Sequence, residues 1–354
     1  MPPPAVLVLY NEPVLPPEHP EAPSEYDVLD TVSDTVKVLR AAGFAVRQLG
    51  INYDPQPLLE ELKTYRPDAV FNLFEGIATQ TATEVSAAAL LEWLNIPFSG
   101  CPSLALAIGR DKIRSKHLLN AARLPTPHYR VVEGFPFPEW DGGWPAIVKP
   151  ALQDASVGID QESVVTDHAA LAARVKFVRE RYAGPVLIER FLSGREFHVN
   201  VIEDYRASGE AEMVVLPLAE IAFRGAAGSW PVYTFTAKWD MESDEYKNSP
   251  LVTAVELPAE QTAILHDVAK KAFRLLECRD FARLDVRLSE TGEVFVLEVN
   301  PNPYLNSLAL VKGLEAIGRT QERFLVEMTL NTMARGGVHI PPGVIIIPVG
   351  VVTV

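Results

Sequence analysis

The strongest constraint on this chain is a pair of alternating segments, Phe281-Ala-Arg-Leu-Asp-Val-Arg-Leu288 and Val294-Phe-Val-Leu-Glu-Val-Asn300-Pro301. Both have period 2 and are rich in Val, Leu and Phe, which predicts a β-hairpin across Thr291-Gly292. Residues two apart on a strand share a face, so Arg283 goes with Asp285, and Glu298 with Asn300. A two-residue turn at Thr291-Gly292 pairs Glu290 with Glu293; counting inward sets Asp285 opposite Glu298 and Arg283 opposite Asn300. A face carrying two carboxylates, an amide and a guanidinium is a poor core and a good hard-cation site. Mg²⁺ prefers oxygen ligands from one or two carboxylates plus phosphates. The competing reading is a salt-bridged surface face with Arg283 and Arg287.

At 354 residues the chain has room for two or three domains. Its net charge of −14, with no basic stripe, argues against nucleic acid as a partner. Cys101 and Cys278 are far apart and lack metal-binding spacing, which reads as two reduced core thiols. The start of the chain has neither the basic flank nor the long apolar run of a signal peptide, and no stretch is long enough to span a membrane. The expectation is a cytoplasmic protein with small-molecule partners, no nucleic acid, no membrane, and an oligomeric state open between monomer and homodimer.

Along residues 1–101, apolar runs at 5–10, 45–51 and 68–74 alternate with helical spacing at 27–42, 57–65 and 83–94, which implies an α/β unit with a parallel sheet. Ligands of such sheets sit beyond the carboxyl ends of the strands, where Asn72 and Glu75 lie. For both, loop capping is the competing role. Asp111 is placed to cap a helix that opens with Lys112, Arg114 and Lys116, and cations there oppose the helix dipole unless they face an anion. A solvated helix face is the alternative for Lys112, and Arg114 or Lys116 could share its role. A strand over 144–150 ends in Lys149 and leads into a small-residue loop, 151–158, ahead of a strand over 158–165. Such a loop can cover phosphates with backbone N–H groups while the lysine supplies a point charge. Strands follow at 186–192, 197–202 and 214–221, then an irregular stretch, 223–248, that reads as a lid or binding loop. A helix over 260–276 precedes the hairpin, and helices over 308–317 and 320–333 follow it. The apolar tail, 338–354, reads as an added edge strand or a packing arm. His198 reads as an ordinary strand histidine, and Trp230 and Trp239 as packing residues.

Several motifs in order resemble the ATP-grasp superfamily and, within it, the D-alanine–D-alanine ligase group. They are Ile96-Pro-Phe-Ser-Gly100, Asp111-Lys-Ile-Arg-Ser-Lys116, Ile147-Val-Lys-Pro150 with Ala155-Ser-Val-Gly158, and Leu187-Ile-Glu-Arg-Phe-Leu192 with Arg195-Glu196. Ala237-Lys-Trp239, Ala282-Arg-Leu-Asp285 and Leu297-Glu-Val-Asn300 complete the series across roughly residues 90 to 310. The resemblance implies an α/β and α+β protein: an ATP-grasp fold with an N-terminal Rossmann-like domain. Its parts would be an N-terminal substrate-side domain (1–101), a central ATP-binding subdomain (102–193), a C-terminal catalytic subdomain (194–335) and the apolar tail (336–354).

By the same resemblance, Lys112, Lys149 and the Ser156 loop would hold ATP phosphates. Glu189 and the backbone near Leu192 would meet adenine, and Glu196 the ribose. Lys238 would reach the γ-phosphate, and Asp285, Glu298 and Asn300 would bind Mg²⁺ or Mn²⁺. Arg283 would stabilise charge on the transferred phosphoryl and acyl oxygens. The implied reaction joins a carboxylate to an amine, such as an amino acid or small peptide, through an acyl phosphate. A small-molecule kinase and a non-catalytic nucleotide-binding module are the alternatives.

The substrate pocket departs from the group. Its Gly-Gly-rich, Glu-Val-Ser element is replaced by Tyr10-Asn-Glu-Pro-Val-Leu-Pro-Pro17, and its His-Gly segment by Asn72-Leu-Phe-Glu-Gly76. A substrate-holding serine aligns with Ala155, the lid tyrosine with Trp239, and the glycine-bearing turn with Pro301-Asn-Pro-Tyr304. Substrate contacts are therefore expected from Glu12, Asn72, Glu75, Trp239 and Tyr304, and a substrate pair other than two D-alanines.

Overall fold

The computed structural model describes residues 2–353 apart from 20–21, 79, 138, 154–155, 206–210, 226–227, 254, 339–343 and 348–349. Its first sheet is parallel, in the order β2-β1-β3, from strands β1 (Ala5–Asn11), β2 (Ala45–Ile51) and β3 (Ala69–Leu73). Val6 to Leu9 are all fully buried, as expected of a parallel strand covered on both faces. Val6 and Val8 pack with Val28, Val32, Val36 and Leu39 of the helix Val28–Ala41. Leu7 and Leu9 pack on the opposite side with Leu58, Leu62 and Leu91.

The second sheet is antiparallel, β4-β7-β5-β6, from β4 (Tyr129–Val132), β5 (Ala146–Pro150), β6 (Val164–Val165) and β7 (Val186–Arg190). The helix His168–Arg181 covers it through Leu171, Val175 and Val178. The long strand expected over 158–165 shrinks to β6, because Asp160 and Ser163 cap a single turn, Gln161–Ser163. Arg174 fastens that turn by donating to Gly158 O at 3.0 Å and Ser163 Oγ at 2.8 Å.

The third sheet is antiparallel, with β8 (Glu196–Tyr205), β9 (Ala211–Val215), β10 (Ala219–Ile221), β11 (Leu251–Thr253), β12 (Phe281–Leu288) and β13 (Val294–Pro301). Its order is β11-β10-β8-β12-β13, with β9 also on β8. The single strand expected over 214–221 is two, split at Pro217, which has no N–H for a ladder. One face of the sheet, with Phe197, Val199, Leu284, Val286 and Val296, packs on Leu265, Val268 and Ala272 of the helix Ala259–Leu275. The tail forms its own hairpin, β14 (Val344–Ile347) with β15 (Gly350–Thr353), instead of extending another sheet.

A polar joint fixes the first sheet's chain to the hairpin. Asp280 accepts from Gly100 N at 2.7 Å and from both terminal nitrogens of Arg335 at 2.6 and 2.9 Å. Arg279 donates to Gly100 O at 2.7 Å and Phe98 O at 3.0 Å, and Cys101 N donates to Asn302 Oδ1 at 2.7 Å. Gly100 has φ +87°, and a Cβ there would lie 2.6 Å from Asn302 Oδ1, so both conformation and space require glycine.

Candidate active site

The hairpin places its polar residues through two offsets that cancel. The turn is a three-residue loop closed by Ser289 and Glu293, whose Glu293 O accepts from Ser289 N at 2.8 Å, with Gly292 at φ +84°. That moves the near-turn register by one from the two-residue expectation, so Leu288 pairs with Val294. A bulge after Asp285 then adds Leu297 to β13 and restores the offset: Asp285 faces Glu298 and Arg283 faces Asn300. On the other side of β12, Asp285 faces His198 and Arg287 faces Glu196 on β8. The result is a polar patch across three strands: Glu196 and Arg287, then His198, Asp285 and Glu298, then Arg283 and Asn300.

Within it Arg283 grips Asp285 with Nε at 2.7 Å and a terminal nitrogen at 3.0 Å, and Asn300 Nδ2 donates to Asp285 at 3.2 Å. Arg287 lies 3.0 Å from Glu196 and donates to Gly194 O at 3.1 Å and to Pro231 O. Burial pushes the Asp285 carboxyl up; Arg283 opposes the shift and Glu298 adds to it. Burial acts on Glu298 in the same direction, yet Lys112, a hydrogen bond with Asp285, Lys149 and Arg283 together hold it well below the usual carboxylate range. The two carboxylates titrate as a pair, with Glu298 ionising first. Burial raises Glu196 against the pull of Arg287. Burial, then Arg283 and Lys238, push His198 well below its ordinary value, so its imidazole is neutral near pH 7.

The elements facing this patch bring cations. Asp111 caps the helix Lys112–Ala121, accepting from Ile113 N at 3.1 Å and Arg114 N at 3.0 Å. Lys112 is thereby aimed inward, donating to Gln153 O at 2.7 Å and lying 3.4 Å from Glu298. Lys149, Ser156 and Lys238 line the same cavity, with Tyr233 from the 223–248 stretch. That stretch is more ordered than a loop: it holds short helices at Phe235–Trp239 and Asp244–Lys247, capped by Thr234 and Ser243.

One expected cavity residue has a different setting. Glu189 is 1% exposed and its carboxylate is clamped between Lys116 and Lys149. Burial alone would raise it; the two ammonium groups reverse the shift and lower it. Lys116, also 1% exposed, donates to Thr126 Oγ1 at 2.9 Å and to the carbonyl of the bulged Leu297 at 3.2 Å. Lys116 therefore binds β7 to β13, whereas Arg114 points to solvent at 73% side-chain exposure. Leu192 borders a separate groove with Thr126 and Arg190.

The expected substrate residues lie apart from the cavity lining. Glu12 accepts from Asn52 at 3.0 Å beyond β1. Asn72 is buried at the end of β3, where its Oδ1 accepts from Phe74 N at 3.2 Å. Glu75 N donates to Asn11 Oδ1 at 3.1 Å, and its carboxyl is pushed up to about 7, by burial first and then by Asp27. Tyr304 is raised to about 12 by burial and by Asp27, so Asp27 brings the end of β3 and the turn after β13 together. Trp239 ends the helix beside Lys238, whose Nζ lies 5.3 Å from the indole centroid. Ala155 lies outside the described residues. Tyr233 belongs to the stretch expected to act as a lid or binding loop, whereas Arg287 and Asp27 were not anticipated as site residues. For Arg287 the signal was available: it lies two residues from Asp285 on the same strand face.

No three His, Cys, Asp or Glu side chains among the described residues form a metal-binding group. The donor set Asp285, Glu298 and Asn300 nonetheless suits a hard dication that takes its remaining ligands from phosphate and water. Asp285 is buried and Glu298 half-buried on the same face as Asn300, and Arg283, Lys112 and Lys149 are the cations that oppose their charge.

Known proteins share this fold. The ATP-complexed D-alanine–D-alanine ligase of Bacillus anthracis superposes with a TM-score of 0.70 at 21% identity, over 94% of this chain and 98% of that one. The architecture is the ATP-grasp fold. The family described as D-ala D-ala ligase C-terminus matches residues 138–328. A D-alanine–D-alanine ligase of Chromohalobacter salexigens is 31% identical over 77% of this chain and 80% of its own length. An uncharacterized protein of Sinorhizobium fredii, y4sG, is 33% identical over 67% of this chain and 66% of its own. The chain belongs to the D-alanine–D-alanine ligase family and is an ATP-grasp ligase, a class that forms carbon–nitrogen bonds.

Proposed function

We propose that the protein is an ATP- and Mg²⁺-dependent carboxylate–amine ligase acting through an acyl phosphate, with a substrate pocket unlike that of its D-alanine-joining relatives. The observation that carries this reading is the register of Arg283, Asp285, Glu298 and Asn300 facing Lys112, Lys149 and Lys238 across one cavity. Phosphoryl transfer needs little beyond positioning and charge neutralisation, and this arrangement supplies both. Lys112, Lys149 and the Ser156 loop hold the ATP phosphates, Glu196 the ribose hydroxyls, and the β7 end near Glu189 and Leu192 the adenine. Asp285, Glu298 and Asn300 hold Mg²⁺ or Mn²⁺, which when bound offsets phosphate charge.

A carboxylate oxygen of the acid attacks the γ-phosphorus and ADP leaves. The amine nitrogen then attacks the acyl carbon, phosphate leaves, and the nitrogen loses a proton. Arg283 and Lys238 stabilise the oxygens that gain charge in both steps. An acyl phosphate must be kept from water, a role for the 223–248 segment that contributes Val232 and Tyr233 to the cavity. In this reading residues 1–101 select substrate, while 102–193 and 194–335 enclose ATP. Glu12, Asn72, Glu75, Trp239 and Tyr304 supply the substrate contacts, and small amino acids or peptides are the substrate class. Dependence on ATP and two unbridged buried thiols suit the cytoplasm.

The test is phosphate release from ATP with amino acids supplied singly and in pairs. Release that requires both a carboxylate and an amine supports the ligase. A stable phosphorylated product formed without an amine makes the protein a kinase instead.

A further inference from the structure

One polar residue of the third sheet is used by nothing described so far. Asn200 lies on β8, directly opposite Arg283, and is only 2% exposed. Neither its Nδ2 nor its Oδ1 has a hydrogen-bond partner. Strand alternation puts it on the face of Glu196 and His198, both of which line the cavity. It therefore continues the third row of the patch, Asn200–Arg283–Asn300, buried one step along β8 beyond His198, the last residue of that strand to line the cavity. One step further on that face, Ile202 already packs with Leu305 and Leu310. A buried amide with both ends unsatisfied is costly to a fold, and a leucine of nearly the same shape would avoid that cost.

We propose that Asn200 is a specificity-determining residue that reads the carboxylate substrate through a carboxamide or peptide amide on that substrate. The inference rests on the ligase reading, in which the reacting carboxylate lies against Arg283. An amide is the group that answers both free atoms: its N–H donates to Oδ1 while its carbonyl accepts from Nδ2. A carboxylate lacks the donor, an ammonium lacks the acceptor, and either would bring an uncompensated charge beside Ile202. Neighbouring strands lie about 4.8 Å apart, so an acid held at Arg283 reaches Asn200 with an amide about one to three carbons from its reacting carboxyl. Asparagine-like and glutamine-like acids and short peptides have that shape.

The experiment uses the full chain with ATP, Mg²⁺ and hydroxylamine, which attacks an acyl phosphate at carbon to give a hydroxamate and phosphate. The acids are both enantiomers of asparagine and its near-isostere leucine, of glutamine and its near-isostere methionine, and of alanine, with alanylalanine. The wild type is expected to favour the amide-bearing acid over its apolar isostere roughly ten- to hundredfold. Asn200→Leu is expected to collapse or invert that ratio while melting no lower than the wild type without substrate. Asn200→Ala, should the leucine variant not fold, is expected to collapse the ratio too. An unchanged ratio in either variant overturns the inference, and a lower melting temperature beside it assigns Asn200 to a buried water instead. Hydroxamate from no acid in the wild type overturns the ligase reading and this inference with it, and is told apart by the absence of ADP formation.

Discussion

The polar patch on the third sheet and the rim of the first sheet are built differently. In the patch, strand pairing sets the distance and direction of each group, so Asp285, Glu298, Arg283 and Asn300 have little freedom. At the rim, Glu12, Asn72, Glu75 and Tyr304 sit at strand ends and turns, held by isolated contacts such as Glu12 to Asn52 and Glu75 to Asn11. Chemistry common to a family suits the first kind of site, and variable contacts suit the second, where a residue can change without shifting a register.

The largest expected effect tests whether the patch is catalytic rather than a salt-bridged surface. Glu298→Gln removes charge and keeps shape, so turnover should fall by about two to three orders of magnitude while the melting temperature changes little. Near-normal phosphate release, or a large loss of stability with turnover per folded molecule intact, would return the patch to a structural role. Next comes Lys116→Met, which leaves Glu189 buried with Lys149 alone. Losing one partner of a buried ion pair costs about 3 kcal/mol, so denaturant unfolding should show a loss of that order. Turnover near saturation in the cold should fall less than in Glu298→Gln, because Lys116 acts through Glu189 and the Leu297 bulge. Equal losses in the two variants would put Lys116 in direct contact with nucleotide.

The same contrast decides what could be read before the structure. Periodicity and β-branched composition are local, so the alternation of strands and helices in the first 101 residues and the hairpin were legible. The facing of Asp285 and Glu298 came out right although the turn did not. The extra residue of the three-residue loop is matched by the Leu297 bulge, and no local pattern announces either one. Side chains that meet across elements were less legible. Glu189 reads as a carboxylate within the strand 186–192 that the resemblance puts at adenine, and only the tertiary fold brings Lys116 and Lys149 onto it. Proline at 217 and the Asp160 cap overrode apolar runs that looked like continuous strands.

The smallest expected effect belongs to the rim and is one of pH. The Glu75 carboxyl is raised from 4.5 to about 7 by burial first and then by Asp27, although the residue as a whole keeps exposed surface at the rim. Between those values the folded chain keeps a proton that the unfolded chain releases. Unfolded protein then binds fewer protons than folded, and this group's contribution to stability falls as pH rises through the window. Glu75→Gln removes that titration, so the melting-temperature difference between pH 5 and pH 7.5 should shrink relative to wild type, the variant gaining at the higher pH. If substrate binds near Glu75 as a cation, saturation with it should lower the pKa and remove the same dependence from the wild type. Identical pH profiles for variant and wild type, with and without substrate, would leave the rim without a titrating group and detach Glu75 from substrate selection.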